Sequence, residues 1–244
     1  MTDEYSESGA PIHRYDDKGK DQPGWTPPNM EDASMEAISD HIEKHIGPID
    51  NVWHEILSDL VHIDVHQVAP TEERPWWTLV TSGMSDIPMS APEEYEDFRY
   101  SELMICLPKD WPMEEKEFDK DENYWPFYWL KYLARFPHQH QTWLSWGHTI
   151  PNGDPAEPVG PNVGFTGMML TRPMAVSKDF WTLEVREDKR IEFFALFPLY
   201  TNEMDLKLKK GAEAIEELFE KNQITEVLNP TRPNLSQSPW WKIW

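Results

Sequence analysis

With 244 residues, 39% of them apolar and 13% aromatic, the chain can bury a sizeable core and is too rich in aromatics for a disordered polymer. Its 44 Asp and Glu against 22 Lys and Arg leave a net charge of −22, which repels nucleic-acid phosphate and argues against direct nucleic-acid binding. The single cysteine, Cys106, rules out an internal disulfide and any four-cysteine metal site. The charge has two readings: a solubility device, or a field that steers a basic partner. The amino-terminal residues are polar and acidic, and no run approaches about 18 apolar residues, so a soluble, cytoplasmic chain without membrane contact is expected.

Residues 1–34 are rich in Asp, Glu, Pro and Gly with scattered apolar side chains. They are expected as an extended polar arm, with Ile12, Tyr15, Trp25 and Pro27-Pro28 lying over a neighbouring surface. Ser34 then reads as an N-cap, and Met35, Ile38, Ile42 and Ile46 recur at helical spacing until Gly47-Pro48 stops the helix. From Val61 to Val68 the alternation of a strand puts Val61, Ile63 and Val65 on one face and His62, Asp64 and His66 on the other. Trp76–Ser82 and Tyr100–Leu107 read as two further strands, the second burying Cys106 as a small hydrophobe.

Residues 91–123 hold twelve acidic against four basic side chains, the most acidic stretch of the chain. Tyr124–Phe136 reads as an amphipathic helix with Trp125, Trp129, Tyr132, Leu133 and Phe136 on its apolar side, ended by Pro137. A long loop from Pro151 to Pro161 turns at Asn152-Gly153. Strands are expected at Phe165–Leu170, Trp181–Val185 and Ile191–Phe197, the last two joined by the charged turn Arg186–Lys189. Thr201 is placed as the cap of a helical tract reaching Asn222, with Ile215, Leu218 and Phe219 inward and Gly211 as a break. Strands grouped around a few helices, with no repeated βαβ unit, give an α+β class: a largely antiparallel mixed sheet flanked by helices. The last residues, 233–244, form a tail with Trp240, Trp241 and Trp244, expected to dock on the chain's own surface.

The nine histidines invite a metal site. His41 and His45 stand four apart on one helix, but no Glu follows His41, so the H-E-x-x-H arrangement is absent. His62-x-Asp64-x-His66 would set three ligand types on one strand face, making it the first place to look for a metal-dependent hydrolase. The plainer reading is the polar face of a half-buried strand, and the sequence itself calls for no cofactor. No G-x-S-x-G elbow and no phosphate-binding glycine loop is present.

One run of residues is distinctive. T-L-V-T-S-G-M-S-D-x-P-M over Thr78–Met89 is followed by Tyr100-x-Glu102-Leu103-Met104, by L-P-x-x-W ending at Trp111, and later by Phe197-Pro198-Leu199-Tyr200-x-x-Glu203-Met204 and Gly211. In order and wording these motifs resemble the suppressor of fused (SUFU) domain family in its bacterial form, over roughly residues 35–232. Gly83, Asp86, Glu102, Tyr200 and Glu203 fall inside them and are expected to hold structure. Asp86 would accept backbone N–H groups in its turn, and Glu102 would pair with an arginine or an indole. Thr142–Ile150, with Trp143, Trp146 and His148, is similar to the family as well.

The resemblance implies a single non-catalytic, protein-binding domain. The animal member grips a transcription-factor peptide between two lobes, and only about a dozen residues follow Arg232, so that role is not expected to transfer. Bacterial members are inferred to be immunity proteins of polymorphic toxin systems. An acidic inhibitor of that kind fits a basic toxin, whose phosphate-binding cleft it can occupy. Glu93, Glu94, Glu96 and Asp97, with Trp143, Trp146 and His148, are the residues expected to meet such a partner. The alternatives are the metal-dependent hydrolase and a general peptide-binding scaffold that adds a strand at a sheet edge.

Overall fold

The computed structural model describes residues 4–15, 32–55 and 60–236. Alternating apolar segments assemble into one eight-stranded sheet built from β3 (Ile49–Trp53), β4 (Asp64–Val68), β5 (Trp76–Ser82), β6 (Ser101–Pro108), β7 (Thr149–Pro151), β8 (Gly167–Thr171), β9 (Thr182–Arg186) and β10 (Lys189–Leu199). The order is β3-β4-β5-β6-β10-β8-β7, with β9 also paired to β10. Every pairing is antiparallel except β6 with β10, so the class is the expected mixed, largely antiparallel α+β sheet. At the amino terminus, β1 (Glu4–Tyr5) and β2 (Pro11–Ile12) form a separate small hairpin.

Both faces of the central sheet are covered, which is why β10 reads as a nearly unbroken apolar run. On one face Val65, Leu79, Leu103, Ile105 and Leu107 meet α2 (Asp121–His140) through Trp125, Trp129, Leu130 and Leu133. On the other, Val68, Val80, Met104, Cys106 and Phe193 meet α1 (Asp32–His45) through Ile38 and Ile42. A third cluster packs Met169, Phe197 and Leu199 against α3 (Thr201–Lys210) and α4 (Glu213–Lys221).

Several local expectations are corrected. The helix α1 begins before Ser34, whose hydroxyl is buried and accepts a hydrogen bond from Lys189 Nζ at 2.9 Å instead of capping. Pro137 does not end α2. A proline in the last turn forfeits one N–H, and the helix closes three residues later through Gln141 in the left-handed region, φ 51°, whose N–H reaches the Pro137 carbonyl. Tyr200, not Thr201, caps α3: its N–H donates to Glu203 Oε2 at 3.1 Å. Gly211, at φ 92°, divides α3 from α4 as expected.

β6 and β10 pair only from Ser101 to Met104. Beyond that point the chain after α4 takes up the edge of β6: Val227 lies parallel beside Cys106, and Leu228 N–H donates to the Cys106 carbonyl at 2.9 Å. The amino-terminal arm is laid on the domain over residues 4–15. Ser8 N–H reaches the Leu208 carbonyl at 3.0 Å, and Tyr15 bonds Thr142 Oγ1 at 2.7 Å with its ring edge-on to Phe136. Trp25, Pro27, Pro28 and the Trp-rich end lie outside the described residues.

Candidate protein-binding site

The loop that leaves β5 is built around one buried carboxylate. Gly83 sits at φ 104°, and a Cβ there would lie 1.8 Å from the His62 carbonyl oxygen, so both the conformation and the close approach require glycine. Glu102, on β6 and fully buried, accepts hydrogen bonds from Thr81 Oγ1 at 2.6 Å, Gly83 N at 3.0 Å, Ser85 N at 2.9 Å and Ser85 Oγ at 2.7 Å. Desolvation pushes its pKa up, and these four donors work against that shift by favouring the anion. Among the described residues no arginine or indole pairs with it, contrary to expectation: the turn's own donors satisfy both oxygens. Glu102 thus accepts the backbone N–H groups of Gly83 and Ser85, and Asp86 is half-buried at the end of the turn.

The rigid turn delivers the chain to an exposed acidic segment pinned at both ends. Met89 N–H bonds the Arg99 carbonyl at 2.7 Å, and Ser90 N–H bonds the Thr142 carbonyl at 3.0 Å. Between them Glu93–Phe98 forms a short 3-10 stretch in which Glu93, Glu94, Glu96 and Asp97 are all exposed. Tyr95 stands among them and stacks on Trp143, ring centroids 4.8 Å apart at 25°. His148 meets the same indole edge-on at 4.7 Å, and burial pulls its pKa down to about 4, so it is neutral at physiological pH. Four acids, Trp143 and His148 are therefore brought to one corner. Trp146 is not in this stack: its indole N–H donates to Glu216 Oε1 at 2.7 Å, tying down α4. The acidic stretch of residues 91–123 is also not one surface, because the buried strand β6 runs through it. Tyr95 and Thr142 went unnoticed in the sequence, although an aromatic set among four acids was a signal for the first.

A second motif carboxylate is also structural. Glu203, fully buried, accepts from both terminal nitrogens of the Arg232 guanidinium, Nη1 at 2.7 Å and Nη2 at 2.6 Å, together with Leu235 N–H at 3.2 Å. The guanidinium lies against Phe165, Tyr200 and Phe219, centroids 4.8 to 5.2 Å away, and Tyr200 O–H donates to the Arg232 carbonyl at 2.5 Å. The motif residues Tyr200 and Glu203 thus anchor the carboxy-terminal segment.

The family model described as Suppressor of fused protein (SUFU) matches residues 59–233, almost three quarters of the chain, including the Gly83 turn, Glu102, Glu203 and Arg232. The chain belongs to the suppressor of fused family. Solved SUFU structures share its fold. One is a SUFU homologue from Neisseria gonorrhoeae FA 1090, at 18% identity and TM-score 0.61, covering 85% of this chain and 99% of that one. Another is the Sufu–Fu complex, at 15% identity and TM-score 0.59, covering 83% and 92%. Drosophila Suppressor of Fused, at 14% identity and TM-score 0.58, is matched over 83% of this chain and 51% of its own. Among curated protein sequences no relative matches.

In this SUFU domain β4 begins only at Asp64, so His62 precedes the strand expected over Val61–Val68, and His62, Asp64 and His66 do not converge. Asp64, buried, accepts from His54 Nδ1 at 2.8 Å, His62 Nε2 at 3.0 Å and Glu55 N–H at 3.0 Å, which fixes the segment before β4. His66 turns instead to Ser82 Oγ at 2.9 Å, and burial lowers its pKa to about 4. Among the described residues no three His, Cys, Asp or Glu side chains form a metal position. His41, which bonds the Phe180 carbonyl at 3.0 Å, packs between Phe180 and Phe193 as a core residue. Cys106 is fully buried with its thiol pKa raised by desolvation. No helix among the described residues is long and apolar enough to cross a membrane.

Proposed function

We propose that this chain is a non-catalytic protein-binding domain acting as a cytoplasmic immunity protein, which neutralises a basic toxin of a polymorphic toxin system by direct association. One observation carries the reading: Glu93, Glu94, Glu96 and Asp97 are exposed on a pinned turn whose central ring, Tyr95, is stacked on Trp143. Exposed acids around an aromatic anchor have the composition of an interface core with a charged rim. The net charge of −22 would speed encounter with a basic partner. Membership of a family with a member solved as the Sufu–Fu complex supports protein binding, and the resemblance to bacterial members is the support for a toxin as that partner.

The test is purification of a tagged copy from its native cell at low ionic strength, repeated at high ionic strength. A stoichiometric basic protein that salt releases, and that is toxic without this chain, is the expected result. A salt-insensitive partner without toxicity, or none at all, would overturn the reading.

A further inference from the structure

Resting on that reading, we infer that the open face of Tyr95 is an arginine platform: the partner lays a guanidinium on this ring and answers its charge with the adjacent free carboxylates. One face of the phenol ring is taken by Trp143, the residue is 44% exposed, and among the described residues no second ring and no cation packs on it. Among the described residues Glu96 is answered by Arg99 at 2.7 Å, whereas Glu93, Glu94 and Asp97 have no cationic partner.

The chain shows three times what completes such a setting. Arg232 combines Glu203 with the rings of Phe165 and Tyr200. Arg172 combines Glu192, at 2.5 Å, with Phe98 and Phe194. Arg99 combines Glu96 with Tyr100. In each case a carboxylate and an aromatic face hold one guanidinium between them. At Tyr95 the ring and the carboxylates are present without an arginine among the described residues. Guanidinium suits the place better than ammonium, because it is flat, weakly hydrated and stacks while its edge still bonds carboxylate. Neutral His148 behind the indole adds no repulsion.

The test uses two synthetic peptides of one sequence, differing only in having arginine or lysine at every basic position, titrated by calorimetry at low ionic strength. The arginine peptide should bind about three- to fivefold tighter, the value of an exposed cation–π contact. Tyr95→Leu should erase the preference and Tyr95→Phe should keep it, since the ring and not the hydroxyl is used. Equal binding of the two peptides to the unaltered protein would overturn the platform while leaving the acidic-surface reading standing. A preference that survives Tyr95→Leu would overturn the assignment to Tyr95. Binding of neither peptide would overturn the platform and the surface together.

Discussion

Two sets of carboxylates in this molecule behave in opposite ways. Glu102 and Glu203 are fully buried, and the turn and Arg232 respectively fill their oxygens with donors. Glu93, Glu94 and Asp97 lie a few residues from the first of these, exposed, with no cation in reach among the described residues. Acidity is therefore not one property here. Motif acids hold shape, and the exposed acids between the motifs are those we propose meet a partner. A buried carboxylate is costly unless satisfied, so it is tied to the fold; an exposed one costs little and is free to vary with the partner.

The sharpest way to break the comparison is at the clamp. Arg232→Ala should destabilise the domain by roughly 3–5 kcal/mol, because Glu203 is left charged and buried without its partner, as denaturant unfolding would read. Should Arg232→Ala cost no more than an exposed substitution, the division between the two sets would fail. Glu102→Ala should cost about 3 kcal/mol by orphaning the donors of the Gly83–Ser85 turn, and should loosen the acidic segment that follows.

The buried histidine gives a pH signature of similar size. His66 has a folded pKa of about 4, below its ordinary value, through desolvation. The unfolded chain takes its proton first as pH falls, so the contribution is complete above about pH 6.5 and lost progressively toward pH 4. About 3 kcal/mol is at stake across that window. Glu102 and Glu226, whose pKa values burial raises, act in the opposite sense: their contribution is present below their ordinary range and lost as pH rises through the folded value. Comparing the unaltered protein with His66→Gln isolates the histidine, and the variant should show the flatter stability profile between pH 6.5 and 4. Smallest of all, neutralising Glu93, Glu94, Glu96 and Asp97 together should shift stability by only about 0.5 kcal/mol, as expected for surface positions.

How much of this was legible in the sequence depends on the range of the interaction. Val61, Ile63 and Val65 do enter one core cluster, although β4 begins only at Asp64, and Gly211 marked a real break, because both signals are local. The strand β3 does not alternate in burial, and β7, at three residues, is too short to show a period. The clamp joins Glu203 to Arg232, and the stack joins Tyr95 to Trp143; nothing in local spacing points from one member to the other. Likewise Glu102 looked as though it needed an arginine, since the convergence of Thr81, Gly83 and Ser85 on one carboxylate exists only after β5 and β6 pair. His66 left the histidine alternation for Ser82 for the same reason, the register of β4 against β5.

The most direct test of the division sets two proteins side by side, the unaltered chain and the variant E93Q/E94Q/E96Q/D97N, each purified from the native cell at low ionic strength and then melted. The account predicts a melting temperature within about 2 °C of the unaltered chain and loss of the co-eluting partner in the variant. A partner retained at full stoichiometry by a folded variant would contradict it, and would move the binding surface away from this turn.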